Sequence, residues 1–511
     1  MLVGALTVTT FIGCGKGGGK PDKEGGNSTT DIEISYWNAG LGTAWLDAVI
    51  EAFEEKYPEY NVYYKATATL NNTSLTYGME GDTVDIYLAT EEGDLTHLEP
   101  LDDVLNTTAE GDSIPLIEKF NENYLEMAKS NDGHYYQLTY GGGAIGIVYN
   151  KEHFEKAGIS QEPRTTNELT VACDTLKSKG YTPFIHFTTT GYWDWMIDGF
   201  FCQYDGFDYF RNNFYACTDE NGTSPSKEVF IKKDGRYETM RVFEKIITPE
   251  YVVTGSNTMD HTSAQTQFLN GSASMMVNGS WLAAEMESVG GLENFVMMRT
   301  PVISAITNKL TTVKTEPQLR KLISAIDSVA DGDKELSAYQ DGENYKVDDI
   351  SVSAADWEYV HNARFTLPSN YSGENAYIPN YSSSKEGAKK FLTFLYSDAG
   401  NKIYTDTLKV ALPLTPSSGS IDTSDWNDFQ KSQLELLSEA LIMPNAYSAS
   451  RHRIFIDGGV GGGLATVTGE NYVTAFCATN PDDRMTADEL WEKIVNKVND
   501  NYENVWLKNI K

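Results

Sequence analysis

The sequence predicts an α/β protein built on open, largely parallel sheets, and three observations lead there. From Asp31 onward, strands and amphipathic helices alternate. The early strands run out into polar loops, as strands of a parallel sheet do at their carboxyl ends. Nothing repeats at a fixed period, which argues against a solenoid or a propeller. A chain of 511 residues, 40% apolar and 12% aromatic, holds enough for two or three sizeable cores.

The elements follow in order. DIEISYW alternates as a strand, and AWLDAVIEAFEEKYPEY sets Trp45, Val49, Ala52 and Phe53 on one face of a helix stopped by Tyr57 and Pro58. NVYYKATAT is the next strand. TVDIYLAT (83–90) is another, opening into the acidic turn EEGD. Ligands of such sheets lie outside strand carboxyl ends, which nominates Asn38 to Leu41 and Thr90 to Glu92. A second α/β unit begins at YGGG, with strand AIGIVYN and a short helix. Then RTTNELTVACDTLKSKG forms a helix entered at Thr166, with Glu168 in its positive first turn, and a strand follows Gly180. Glycines 141 to 143 serve either a hinge or a tight turn. FLNGSASMMVNGSW (268–281) reads as a helix closed by Asn270 and Gly271, a strand over Ala273 to Val277, and a turn at Asn278 and Gly279 that delivers Trp281. Residues 302–370 read as a helical insertion: helix EPQLRKLISAIDSVADGDKEL, a polar loop, helix SAADWEYVHNAR. A strand and helices resume from NYSGENAYIPN, and MTADELWEKIVNKVNDNYENVW is the last helix.

A formal charge of −33, from 40 basic and 73 acidic residues, argues against nucleic-acid binding, because neutralising phosphates takes clustered Lys and Arg. No cofactor or metal motif is present. GGVGGG (458–463) lacks the Lys and Ser/Thr of a phosphate loop, the seven histidines form no HExxH, and ADGDKELSAYQDGE breaks EF-hand spacing. No GxSxG occurs. Cys202 and Cys217 either pair or remain free thiols, and no cysteine is assigned chemistry. At the start, residues 2–13 are uncharged and have the length of a signal h-region rather than of a membrane span.

Several stretches together resemble the extracellular solute-binding proteins of ABC importers, in the carbohydrate-binding family that includes maltose-binding protein. FLNGSASMMVNGSW fits that family's F-x-x-G-x-(A)-A-M-x-x-x-G-x-W at Phe268, Gly271, Met275, Gly279 and Trp281. IGIVYNKEHFEKAGI resembles its Y-N-K-x-x-F-x-x-x-G block at Tyr149, Asn150, Lys151, Phe154 and Gly158. FEEKYPEYNV, EPRTTNELTVACDTLKSKGYTP, AKKFLTFLYSDAGNKIY followed by ALPLTP, and LIMPN follow in the family's order. Segments 302–370 and 457–472 have no counterpart. FIGC resembles a bacterial lipobox, implying a signal peptide over 1–13, lipidation of Cys14 and a flexible tether over 14–30.

The resemblance implies a two-lobe, periplasmic-binding-protein-like (type II) fold with a hinge and a helical insertion. One lobe would comprise 31–143 plus 300–410, the other 144–299 plus 411–511. It implies a lipid-anchored receptor on the extracellular face of the cytoplasmic membrane, without catalysis, that hands a sugar or oligosaccharide to permease subunits. A sugar needs flat aromatic faces and fixed polar groups. Candidate ligand contacts are Trp281, the GYWDWMIDGFF set (Tyr192, Trp193, Asp194, Trp195), Asn38, Thr90 and Glu91, and, after LIMPN, Asn445, Tyr447 and Arg451. On a strand, Trp193 and Trp195 would point the same way; a core position for both is the alternative. The rival functions are a secreted glycoside hydrolase, which needs two carboxyls set across a cleft, and a glycan-capturing surface lipoprotein without a transporter.

Overall fold

The computed structural model describes residues 30–38, 40–67, 81–89, 95–130, 132–187, 192–215, 218–224, 226–371, 373–438, 440–443, 472–506 and 508. Thr90, Glu91, Asn445, Tyr447, Arg451, Cys14, Cys217 and the 458–463 glycines lie outside them. Cys202 is a buried free thiol.

The first sheet contains β1 (Thr30–Trp37), β2 (Tyr60–Thr67), β3 (Ile86–Ala89) and β4 (Leu138–Thr139), completed late in the chain by β12 (Asn375–Tyr377). Its order is β2-β1-β3-β12-β4. β1 runs parallel to β2 and β3 in register Ile32↔Val62 and Ile34↔Ile86, while β12 is antiparallel to β3 and β4. The predicted helix forms over Ala44–Lys56 and buries Trp45, Val49 and Phe53 of the expected face, with Leu46 and Ile50 beside them, while Ala52 is only partly buried. Trp45 anchors the core, donating its indole N–H to the Tyr36 hydroxyl at 2.8 Å.

The second sheet is β6 (Met275–Gly279), β5 (Ile145–Asn150) and β7 (Phe295–Met297), with both outer strands antiparallel to β5. Its pleat feeds two cores. Ile145, Ile147, Met275 and Val277 join one, and Val148, Met276, Phe295 and Met297 the other. The strand expected after Gly180 is reduced to bridges from Phe184 to Val252 and Met275. The helix before it spans Thr166–Ser178, and its cap is Thr165, one residue earlier than expected, accepting from the Glu168 N–H. From Thr165 the spacing to Glu168 is that of a capping box, and the Glu168 carboxylate turns back to the Arg164 N–H at 2.9 Å.

Residues 302–365 do not behave as a piece of the first lobe. Ile303, Ile306, Leu319, Leu322, Trp357 and Val360 are buried in the core that contains the Trp193–Asp205 helix. Polar ties fix the segment there: Ile303 N–H donates to Gln203 Oε1 at 2.9 Å, and Lys309 pairs with Asp205 at 2.7 Å. Its apolar faces match the second sheet's helices, so the chain remains on that side until it crosses over after Phe365. The expected polar loop is a three-stranded meander, β8 (Gln340–Asp341), β9 (Asn344–Val347) and β10 (Ile350–Ser353), between helices Glu316–Ala330 and Ala354–Phe365. Gly342-Glu343, with φ +67° at the glycine, is its first turn, between the paired Asp341 and Asn344.

The crossovers meet at one place. The chain passes from β4 to β5 through 140–144. It returns from β11 (Thr366–Pro368), which pairs with β13 (Leu441–Met443), to β12 through 369–374. A further passage runs through 409–414. Ala144 bridges Ser369, Asn370 N–H donates to Gly143 O at 3.0 Å, and the Tyr371 hydroxyl donates to Ala411 O at 2.9 Å. The glycines at 141 to 143 thus lie in a braced crossing. Gly142 has φ +83°, and a side chain there would meet Asn370 O at 2.6 Å.

Candidate functional site

The helix His261–Leu269 ends at Asn270, and Gly271 takes φ +80°, as its closing residues suggest. Asn278 and Gly279 are not a turn, however. They are the last residues of β6, paired with Gly146 and Ile145. Gly279 is required for a different reason: a Cβ there would lie 2.3 Å from the Trp281 ring, which folds back over the strand end.

Trp281 is 8% exposed and starts the short helix Leu282–Glu285. Its indole N–H donates to the Tyr192 hydroxyl at 3.1 Å, and Tyr192 meets it edge-on at 5.2 Å between ring centroids. Trp195 stacks on Tyr192 at 4.9 Å and meets Trp281 at 5.7 Å. Tyr192 and Trp195 are half-buried. Three rings from two sequence-distant segments therefore form one wall.

Trp193 does not belong to this wall. It is 1% exposed and packs edge-on against Phe184 and Phe243 in the core. The reason is the element: residues 193–205 are helical, so positions 193 and 195 lie about 200° apart instead of on one face of a strand. Asp194 accepts from the Tyr472 hydroxyl at 2.8 Å, a tie to the Tyr472–Phe476 helix.

Opposite the wall stands the loop after β1. Asn38 donates its N–H to Thr67 O and accepts from the Leu41 N–H, and its buried side-chain Oδ1 has no hydrogen-bond partner among the described residues. A Cβ on Gly40 would come to 3.6 Å from Trp281 Cβ. The first sheet's strand-end loop and the second sheet's aromatic wall thus face one another beside the crossovers.

At the crossing itself lies Glu374, 5% exposed. Its carboxylate accepts from the Gly142 N–H at 2.8 Å and from Asn370 Nδ2 at 3.3 Å. Its own carbonyl accepts from the Tyr140 N–H at 3.0 Å. Burial pushes the carboxyl up to about 7, against the pull of those two donors, and Tyr36, Tyr140 and Tyr404 stand near enough to feel its charge. The native state therefore retains a proton that the unfolded chain has released above its ordinary value of 4.5. The stability that Glu374 contributes falls as pH rises from about 4.5 to 7 and levels off beyond. Glu374→Gln removes this titration, and the Asn370 amide can turn to accept from the new amide. The variant is expected to exceed the parent by about 3 kcal/mol at pH 8 and to match it at pH 4, read by urea unfolding at both.

Two hollows lie away from this wall. One of about 540 Å³ is lined by Asn257, Cys477 and Asn480, and one of about 440 Å³ by Tyr149, Glu162, Arg299 and Asp327 at the opposite end of β5 from the crossing. Neither gathers aromatic faces from both sheets. The described residues contain no cluster of His, Cys, Asp and Glu arranged to hold a metal ion.

Two sheets joined by repeated crossovers, with an aromatic wall on one facing a strand-end loop on the other, define a two-lobed ligand-binding protein. The family model for bacterial extracellular solute-binding proteins matches residues 39–402, and the chain belongs to that family of receptors. The fold is shared with the bacterial solute receptor AcbH, which has an exclusive substrate preference for β-D-galactopyranose (TM-score 0.59, 14% identity, 92% of this chain and 99% of that one). A chitin oligosaccharide binding protein (0.58, 15%, 94% and 100%) is also similar, as is BlMnBP1 of an ABC transporter from Bifidobacterium animalis subsp. lactis, in complex with mannobiose (0.54, 18%, 93% and 95%). In sequence, the chain is 24% identical over 204 residues to an uncharacterised ABC transporter extracellular-binding protein of Pyrococcus horikoshii. That match covers 36% of this chain and 44% of the relative.

Proposed function

We propose that this chain is the lipid-anchored substrate-binding subunit of an ABC importer, capturing a sugar or oligosaccharide between its lobes and presenting it to the permease. The observation that carries the reading is the Tyr192, Trp195 and Trp281 wall set against the Asn38–Gly40 side of the other sheet. Aromatic faces suit the CH faces of a pyranose, and polar loop groups suit its hydroxyls. The saccharide ligands named for proteins of the same fold support it. A ligand touching both lobes favours the closed arrangement, which is the form a permease would recognise. The anchor rests on FIGC at Cys14; in the producing cells, Cys14→Ala is expected to shift the protein from the membrane fraction to the medium.

The test is a saccharide panel followed by intrinsic tryptophan fluorescence and thermal melting, with the sugars re-analysed afterwards. At least one saccharide is expected to change the fluorescence and raise the melting temperature while remaining intact. A panel that moves neither signal defeats the carbohydrate reading, and hydrolysis products would move the protein into the enzyme class.

A further inference from the structure

One turn after Trp281, the helix Leu282–Glu285 ends in a carboxylate that none of the features above uses. Glu285 is half-buried. Its Oε2 is held by Gln265, whose Nε2 donates at 2.7 Å from a fully buried position. Its Oε1 turns toward the other lobe: a Cβ built on Gly40 would lie 3.5 Å from that oxygen and 3.5 Å from Glu285 Cγ. The carboxylate therefore stands in the seam, at the edge of the aromatic wall. Its charge acts on the Tyr192 hydroxyl.

The electrostatic surroundings are one-sided. Burial raises the Glu285 carboxyl, opposed by the hydrogen bond from Gln265 and by His261; no Lys or Arg among the described residues opposes it. Across the seam, two residues before Gly40, Asn38 holds a buried Oδ1 with no partner among the described residues. Both groups accept hydrogen bonds. A ligand seated against them must bring donors, as a hydroxyl or an amine does, and a ligand carboxylate would place a like charge beside a partly desolvated one.

Building on the saccharide reading above, we propose that Glu285, positioned by Gln265, is a specificity-determining residue that accepts a hydrogen bond from a ligand hydroxyl or amine and excludes acidic saccharides. Specificity of this kind is a difference between affinities, and the repulsive element does as much as the attractive one.

The experiment measures dissociation constants by calorimetry for the parent, Glu285→Gln and Glu285→Asp against maltotriose, mannotriose, galactotriose and chitotriose, each beside its C6-oxidised acid where one is made. The parent is expected to prefer the neutral member of the pair it binds best by about a hundredfold or more. Glu285→Gln keeps the shape and removes the charge. It should weaken the neutral ligand about tenfold and strengthen the acid, collapsing the ratio, while Glu285→Asp restores the preference. Ligand-free melting of each variant near the parent's confirms that the fold is intact. An unchanged ratio in Glu285→Gln, or a parent that prefers the acid, overturns the proposal and leaves the saccharide reading standing. A parent that binds no member of the panel overturns both.

Discussion

Trp281→Ala is expected to weaken saccharide binding by about 2 to 4 kcal/mol, roughly 30- to 1,000-fold in Kd. The size follows from what the indole holds together. It supplies one ring of the wall, fixes Tyr192 through the 3.1 Å hydrogen bond and braces Trp195 at 5.7 Å. Truncation removes all three at once, and Tyr192, stacked on Trp195, loses the donor that sets its orientation. Because Trp281 is only 8% exposed, the variant should also lose stability, by about 3 kcal/mol. The two effects separate in one measurement: the ligand-free melting temperature falls somewhat, whereas the ligand-induced rise disappears. Trp281→Phe, which retains a ring but not the N–H, should lose about 1 kcal/mol of binding through Tyr192 alone. If Trp281→Ala binds as the parent does, the wall is not the ligand platform.

The sequence made some of this legible because local chemistry decided it. The stripe in AWLDAVIEAFEEK buries Trp45, Val49 and Phe53 as its spacing sets them, and Asn270-Gly271 closes its helix. Elsewhere tertiary context prevailed. GYWDWMIDGFF carries Asp194 and Asp198 at helical spacing, but Asp198 is itself buried because the Trp193–Asp205 helix is covered on most of its circumference, so no solvated face marks the helix and its alternating indoles imitate a strand. Gly279 resembles a turn glycine, yet it is needed because of a ring two residues ahead. Glu285 and Glu374 could not be singled out among 73 acidic residues. What distinguishes them is burial beside Gln265 and Gly142, and both partners are remote in sequence. A signal for Glu285 did exist: it lies four positions after Trp281, the spacing that returns a helix to the same face. The side on which the 302–370 segment packs is not legible, because its helices carry apolar stripes that do not declare their partner; its buried apolar residues from Ile303 to Phe365 pack with the Trp193–Asp205 helix.

Gly141→Ala is expected to be strongly damaging. The position does not need a positive φ, so the cost is steric. The new Cβ would lie 2.0 Å from Glu374 Oε2 and 2.7 Å from Leu41 Cδ1. Glu374 has no room to withdraw: it is buried, and the oxygen struck is the one that accepts from the Gly142 N–H. Displacing it leaves a buried N–H unpaired and a carboxyl without its donors, adding about 1 to 3 kcal/mol to an overpacking cost of similar size. Leu41 belongs to the loop that carries Gly40 over Trp281 and Glu285, so the strain also reaches the seam. The expected result is a loss of about 3 kcal/mol or more in urea unfolding, together with weaker saccharide binding. The clash can be isolated with the double variant Gly141→Ala/Glu374→Ala. Removing the carboxylate makes space for the methyl, so the double variant should be less destabilised than the sum of the singles by about 1 kcal/mol or more. Simple additivity would mean that Glu374 does not brace the crossing through Gly141.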